Sequence, residues 1–308
     1  MARSVRSETD IAKHSLALFG IIGSLRRIAN GLDSSYRVKT AGDRVFALRV
    51  SSGIPIRRVS AFRVEADWID ALSGNRWFSV PRLQRTKRGA CVGQVRDASG
   101  VMRASTLLSW IPGRRRYQIG EAHARSLGQM AGALHQHAQT IAAPASDAIK
   151  SWDARFMCGM GKKDGLHSFA PEAVELVERV SVCLQRVMAT LESHECGLIN
   201  ADLGLHNVLW HEGRAGLVDF NDAGIGPYAF CLARLLARIQ SHEKGQGLAN
   251  DLLSGYREVA PLPAAYVKWG GLFEVAAEVF RLNFSAARVV NRGTTLQAHE
   301  RRMVTTLS

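Results

Sequence analysis

The sequence predicts an α+β protein in two parts, a β-rich first part followed by a mainly helical second part. Two patterns lead there. Between Leu25 and Val50, short apolar runs alternate with turn residues, whereas from Ala122 onward apolar residues recur at helical spacing. Leu198–Gly226 then interrupts the helices: its apolar runs flank polar segments too short for a helix, so it reads as a loop and a hairpin turning at His211–Arg214. At 308 residues, 46% hydrophobic and 22% charged, the chain is long enough for two lobes with a sizeable core.

In chain order, residues 1–15 are polar and read as a loose terminus entering a short helix near Ile11–Phe19. Leu25–Ile28, Tyr36–Lys39 and Val45–Val50 read as three antiparallel strands, separated by the turns Asn30–Ser35 and Ala41–Asp43. Helical spacing returns over Val59–Leu72. Val80–Leu83 and Cys91–Val95 read as further strands, and Arg103–Gly113 as a strand ending in Pro112-Gly113. Arg114–Arg116 then forms a solvated basic corner.

Ala124, Leu127, Ala131, Leu134 and Ala138 trace one face of a helix over Ala122–His137. His135 and His137 lie two apart, on different faces, with no acid or Cys at ligand spacing, so they are not expected to hold a metal. Residues 150–171 are irregular. Pro171–Leu191 is an amphipathic helix opened by Pro171 and Glu172. After Gly226-Pro227, helices follow over Phe230–Ile239, Leu248–Tyr256 and Ala264–Val290, and the tail from Asn291 reads as loose. Trp269, Phe273, Phe280 and Phe284 form a stripe expected to face the core, the alternative being a wall of a substrate pocket. Glu274 and Glu278 read as solvated surface acids.

The net charge of +13 is uneven, since residues 1–120 hold 22 Lys and Arg against 8 Asp and Glu. A nucleic-acid face is one reading, disfavoured because no aromatic residues interleave the charge; a nucleotide-phosphate site with a solvated basic surface is the other. Five scattered cysteines without a Cys-x-x-Cys pair point to reduced thiols and a cytoplasmic setting. Neither a membrane span nor a signal peptide is expected.

Chemistry concentrates in LINADLGLHNVLWHEGRAGLVDFNDAG, which carries Asp202, then Asn207 five residues on, then Asp219 twelve beyond. A proton-accepting acid followed by an amide oxygen and a second carboxylate able to hold Mg2+ is what phosphoryl transfer requires, because that chemistry is mostly positioning and charge neutralisation. The segment resembles the catalytic and metal-binding loops of the aminoglycoside phosphotransferase family, small-molecule kinases of the protein-kinase-like fold that include choline and homoserine kinases. That pattern is roughly His-x-Asp-x-x-x-x-Asn followed by Asp-Phe-x-Asp. Here Asn200 stands in place of the His, and Cys231 where related proteins often have an Asp that braces the loop.

The resemblance implies a two-lobed protein-kinase-like fold: a nucleotide-binding lobe over residues 1–111, with a small antiparallel sheet and one helix, and a mainly helical catalytic lobe over 112–308. It implies Asp202 as the residue that accepts or orients the proton of a substrate hydroxyl, with Asn207 and Asp219 holding Mg2+. Arg49, on the third strand, would meet the nucleotide phosphates as a fixed guanidinium fork. Glu65, on the next helix, would pair with it. Ser34 and Ser35, in the first turn, would cover the phosphates, and Leu107, Ser109 and Trp110 would border the base. His206 and His211 read as loop residues, and Asp222 as support behind the metal loop.

The expected activity is transfer of the γ-phosphate of ATP or GTP to a hydroxyl of an amino acid, amino alcohol, sugar or aminoglycoside-type molecule. A second lobe near neutrality does not favour polycationic acceptors. The alternative is a pseudokinase that binds nucleotide and acts through an acidic partner or nucleic acid.

Overall fold

A computed structural model describes residues 8–30, 33–51, 59–142, 144–145, 147–161, 165–166, 169–240 and 245–290 of the chain. The loose terminus before Glu8, Gly31 and Leu32 of the first turn, and the tail from Asn291 lie outside the described residues. The chain forms two compact units. One comprises residues up to Arg115 with Asp147–Ile149 and Val208–Val218; the other comprises Arg116–Ser146, Lys150–Asn207 and residues from Asp219 onward.

In the first unit, helix α1 (Glu8–Leu18) leads into β1 (Ser24–Asn30), β2 (Asp33–Lys39) and β3 (Val45–Ser51). After α2 (Val59–Ala71) come β4 (Leu83–Gln84), β5 (Gly93–Arg96) and β6 (Met102–Ser109). The strands form an antiparallel sheet in the order β1-β2-β3-β6-β4, with β5 also on β6. Period-two alternation sorts its faces. Tyr36, Val38, Phe46, Leu48, Val50 and Leu107 turn to one side and close a core with Ile11, Ala12, Leu16 and Phe19. On the other side Phe62 and Ala66 of α2 pack with Val92 and Ala104. Leu48 is fully buried, so cutting it to Ala costs about 2–5 kcal/mol. The strand reading of this region holds with one shift: Ser34 and Ser35 are paired residues of β2, opposite Val50 and Arg49, and not part of a turn.

The second unit carries α3 (Glu121–Thr140), α4 (Ala154–Met157) and α5 (Pro171–Met188), then strand β7 (Cys196–Asn200). The hairpin β8 (Val208–His211) and β9 (Arg214–Leu217) belongs to the first unit, where Ser79 exchanges backbone hydrogen bonds with Ala215 and Leu217. Its turn falls on His211–Arg214, with Gly213 at φ +76°. The chain returns to the second unit through β10 (Ala223–Pro227), α6 (Tyr228–Gln240), α7 (Gly245–Arg257) and α8 (Ala264–Val290). Helices α3 and α7 approach so closely that a Cβ at Gly255 would lie 2.0 Å from the Arg125 carbonyl oxygen. The aromatic stripe on α8 divides: Phe273 and Phe280 are buried, while Trp269, at a non-helical kink, and Phe284 are 37% and 51% exposed. Among the described residues no helix is long and apolar enough to cross a membrane.

Candidate active site

Strands β7 and β10 pair antiparallel, with Asn200 opposite Ala223, and this fixes where two loops begin and end. The loop leaving β7 carries Asp202 and Asn207; the one entering β10 carries Asp219. Asn200 is wholly buried and joins them. Its Nδ2 donates to the Asp219 carbonyl at 3.1 Å and its Oδ1 accepts from the Asp202 amide at 3.2 Å. The thiol of Cys231 on α6 donates to the Asn200 carbonyl at 3.4 Å. Burial pushes that thiol up to about 12, so it stays protonated and able to donate. The two positions that depart from the family pattern thus bond to each other and brace both loops.

Every carboxylate oxygen of Asp202 is engaged. Oδ2 accepts from Asn207 Nδ2 at 2.8 Å and faces His206 Nε2 at 2.9 Å, while Oδ1 accepts from Arg238. Arg238 also donates to the Leu203 carbonyl at 2.6 Å, and Arg234 lies 3.8 Å from the same Oδ1. Burial alone would raise the Asp202 pKa; the His206 hydrogen bond and the Arg238 charge outweigh it and hold the carboxyl well below its ordinary range. Arg234 is enclosed by aromatic faces, 4.2 Å from the Phe280 centroid and 5.3 Å from that of Trp152. Burial lowers its pKa to about 10, which still leaves it charged at neutral pH.

Asn207 ends a 3-10 turn, Leu205–Asn207, with its Nδ2 on the carboxylate and carbonyl of Asp202. The amide oxygen is therefore the end of this side chain that can coordinate a cation. Asp219 is exposed and has φ +72°, a left-handed conformation that costs a non-glycine residue about 1–3 kcal/mol and clusters at functional sites. Its Oδ1 caps the Asn221 amide at 3.0 Å, which helps hold that conformation. Asp222 turns to Lys150, whose Nζ also donates to the Asn221 carbonyl at 3.2 Å. Lys150 reaches this loop because residues 150–152 run beside β10, with the Trp152 amide on the Ile225 carbonyl at 2.7 Å. A Cβ at Gly224 would lie 2.7 Å from the Lys150 carbonyl oxygen, so the approach requires glycine. Among the described residues no three His, Cys, Asp or Glu side chains gather as a metal site, so a cation here would depend on the Asn207 amide.

The first unit holds a second cluster. Arg49 pairs with Glu65 at 3.0 Å and with Asp33 at 2.8 Å, both carboxylates being 2% exposed, and its guanidinium lies 4.7 Å from the Phe62 centroid. Ser34 is buried, accepting from Arg27 at 3.0 Å and donating to Glu8 at 3.3 Å, and Ser35 sits opposite Arg49 in the ladder. Leu107 is fully buried in the core. The amides of Ser109 and Trp110 donate to the Arg82 and Val45 carbonyls at 2.8 and 3.2 Å, and the half-exposed Trp110 ring lies 5.5 Å below the Arg37 guanidinium.

A sequence model of the phosphotransferase enzyme family matches residues 24–267, most of the chain. The chain belongs to that family. Solved structures of similar fold include the amicoumacin kinase hAmiN in complex with AMP-PNP, Ca2+ and Ami, at 19% identity and a TM-score of 0.82 over 98% of this phosphotransferase and 93% of that chain. A microcompartment-associated aminopropanol kinase matches at 22% identity and 0.77, over 97% and 94% of the two chains. The spectinomycin phosphotransferase APH(9)-Ia, in complex with ADP and spectinomycin, matches at 10% identity and 0.58, over 97% and 92%. No curated protein sequence matches this phosphotransferase. The fold is the two-part α+β architecture of the protein-kinase-like phosphotransferases, with an antiparallel sheet and a helical part.

The sequence-predicted residues thus fall in two groups: Asp202, Asn207 and Asp219 in one, Arg49 and Glu65 in the other. Several partners escape sequence reading. Asp33 reads as part of the turn Asn30–Ser35, His206 reads as a loop residue, and Arg234 and Arg238 read as ordinary helix cations. Their i, i+4 spacing on an otherwise apolar helix is the one available signal.

Proposed function

We propose that this small-molecule phosphotransferase moves the γ-phosphoryl group of ATP or GTP to a hydroxyl of an amino acid, amino alcohol, sugar or aminoglycoside-type acceptor, in the cytoplasm. The observation that carries the reading is Asn200, which ties the backbone of Asp202 to that of Asp219 and so keeps a candidate base and a candidate metal ligand in one network with Asn207. Asp202 receives or orients the proton of the attacking hydroxyl. Its bonds to Arg238 and Asn207 fix the carboxylate plane, so the hydroxyl meets an acid of set orientation. The donor set fits Mg2+: Asn207 and Asp219 offer an amide oxygen and a carboxylate, the hard oxygen ligands this cation takes, and Mg2+ bound there neutralises charge on the phosphate oxygens. In the first unit, Arg49 is the phosphate-binding cation, oriented by Glu65 and Asp33. Ser35, opposite Arg49 in the ladder, lies near the phosphates, and Ser109 and Trp110 border the base; Ser34 and Leu107, expected there from the sequence, are instead buried on the α1 face of the sheet. With the Ser109 and Trp110 amides engaged in the sheet, base contact falls to other groups of that segment.

One observation favours the second reading, a pseudokinase that binds nucleotide and acts by interaction: His206 and Arg238 both bond the Asp202 carboxylate. A panel of hydroxyl metabolites, scored by nucleoside diphosphate release with and without Mg2+, separates the two. Mg2+-dependent release with at least one acceptor supports the transferase; nucleotide binding without release in any condition supports the pseudokinase.

A further inference from the structure

A pocket of about 290 Å3 opens in the second unit, lined by Lys150, Ser151, Asp153, Arg155, Phe156 and Met160. Two chains of contact join it to the catalytic loops. Lys150 lines the pocket and bonds the Asn221 carbonyl and the Asp222 carboxylate, and the Asn221 amide is capped by Asp219. On the other side, Phe156 lies 4.7 Å from Trp152 and 6.2 Å from Phe280, the rings that enclose Arg234 beside Asp202. The aromatic wall continues to Phe284, which is half exposed and stacked on Phe280 at 6.0 Å.

The lining chemistry is asymmetric. Lys150 is already neutralised by Asp222 and Asp153 accepts the Phe156 amide at 2.9 Å, so Arg155 is the cation of the lining whose charge is not taken up. Arg155 is exposed and has no acidic partner among the described residues. That guanidinium offers a carboxylate a planar fork. Beside it, Phe156 and Met160 offer an apolar surface for the rest of the molecule.

We infer that this pocket is the acceptor subsite, and that the acceptor is a hydroxyl-bearing carboxylate with an apolar portion, its anion held by Arg155. The inference rests on the transferase reading and narrows its substrate class. Three matched probes test it on the full chain: 3-phenyllactate, the neutral 3-phenyl-1,2-propanediol and the cationic phenylalaninol, each titrated for binding and assayed for nucleoside diphosphate release with MgATP. Phenyllactate should bind at least about tenfold tighter than the diol, with phenylalaninol weakest, since a charge-assisted pair contributes on that scale. Arg155→Met should erase most of that preference; because Arg155 is exposed, its thermal midpoint should match the parent's. Equal binding of all three, preference for phenylalaninol, no binding by any, or an unchanged preference in Arg155→Met each overturns the subsite. Phenyllactate bound without phosphoryl transfer would keep the subsite and count against the kinase. Transfer to phenyllactate unaffected by Arg155→Met would keep the kinase and count against the subsite.

Discussion

Arg238 donates to the Asp202 carboxylate and the Leu203 carbonyl at once, anchoring the acid at the head of the loop after β7 to helix α6. Removing it leaves a largely enclosed carboxylate with fewer partners, and hydrogen bonds to charged groups are each worth about 1.5–3 kcal/mol. Arg238→Met should therefore lower urea-unfolding stability by about 2 kcal/mol. Arg238→Lys, which can keep one of the two contacts, should recover roughly half of that. Equal stability of parent and Arg238→Met would mean the latch is not holding the loop.

Arg49 stands between two carboxylates that are each 2% exposed. Its removal strands both, which is harsher than losing either acid, since breaking a buried pair costs about 3–5 kcal/mol. Chemical denaturation should rank Arg49→Met below Glu65→Gln. Adding Glu65→Gln to Arg49→Met should restore part of the loss. Arg49→Met should also weaken ATP binding, read by direct titration.

His135 on α3 is enclosed, its Nδ1 2.8 Å from the Tyr256 hydroxyl and its ring stacked on Tyr228 at 4.8 Å. Burial lowers its pKa to about 3. In the unfolded chain the same ring takes a proton near pH 6.5, so as pH falls from there toward 3 the unfolded state binds one more proton and stability declines. The slope from this residue approaches about 1.4 kcal/mol per pH unit. Unfolding free energies of the parent and His135→Gln should converge as pH drops through that window, and parallel curves would contradict the assignment.

Gly224 and Gly247 should respond oppositely to alanine. A Cβ at Gly224 would meet the Lys150 carbonyl at 2.7 Å and Trp152 at 2.8 Å, while one at Gly247, in the first turn of α7, meets nothing within 4 Å. Thermal unfolding should show Gly224→Ala destabilised by about 1–3 kcal/mol. Gly247→Ala should gain about 0.4–1 kcal/mol from a less flexible unfolded chain.

Much of this was legible in the residues because periodicity and turn chemistry are local. Helix α8 spans the stretch its apolar spacing marks, and the hairpin turns where His211–Arg214 says it should. The pairing of β7 with β10 was not legible: Gly226-Pro227 reads as a break, and the approach of Lys150 and Trp152 explains the glycines at 224 and 226 in a strand. The Ser34 environment was missed for a related reason, since Asx and Ser residues beside a glycine signal a turn until pairing with β3 overrides them. Asp202, Asn207 and Asp219 stand out in the sequence by their spacing. Cys231, which bonds Asn200, and Arg234 and Arg238, which flank Asp202, come from a helix distant in sequence, and no local pattern announces a contact made by folding.

Phosphoryl transfer from MgATP, measured in parallel for the parent, Asp202→Ala and Asp219→Ala, tests the central assignment most directly. Loss of the proton acceptor or of a metal ligand should lower turnover by about 100-fold or more, with each variant still folded by circular dichroism. Turnover equal in all three proteins would contradict it.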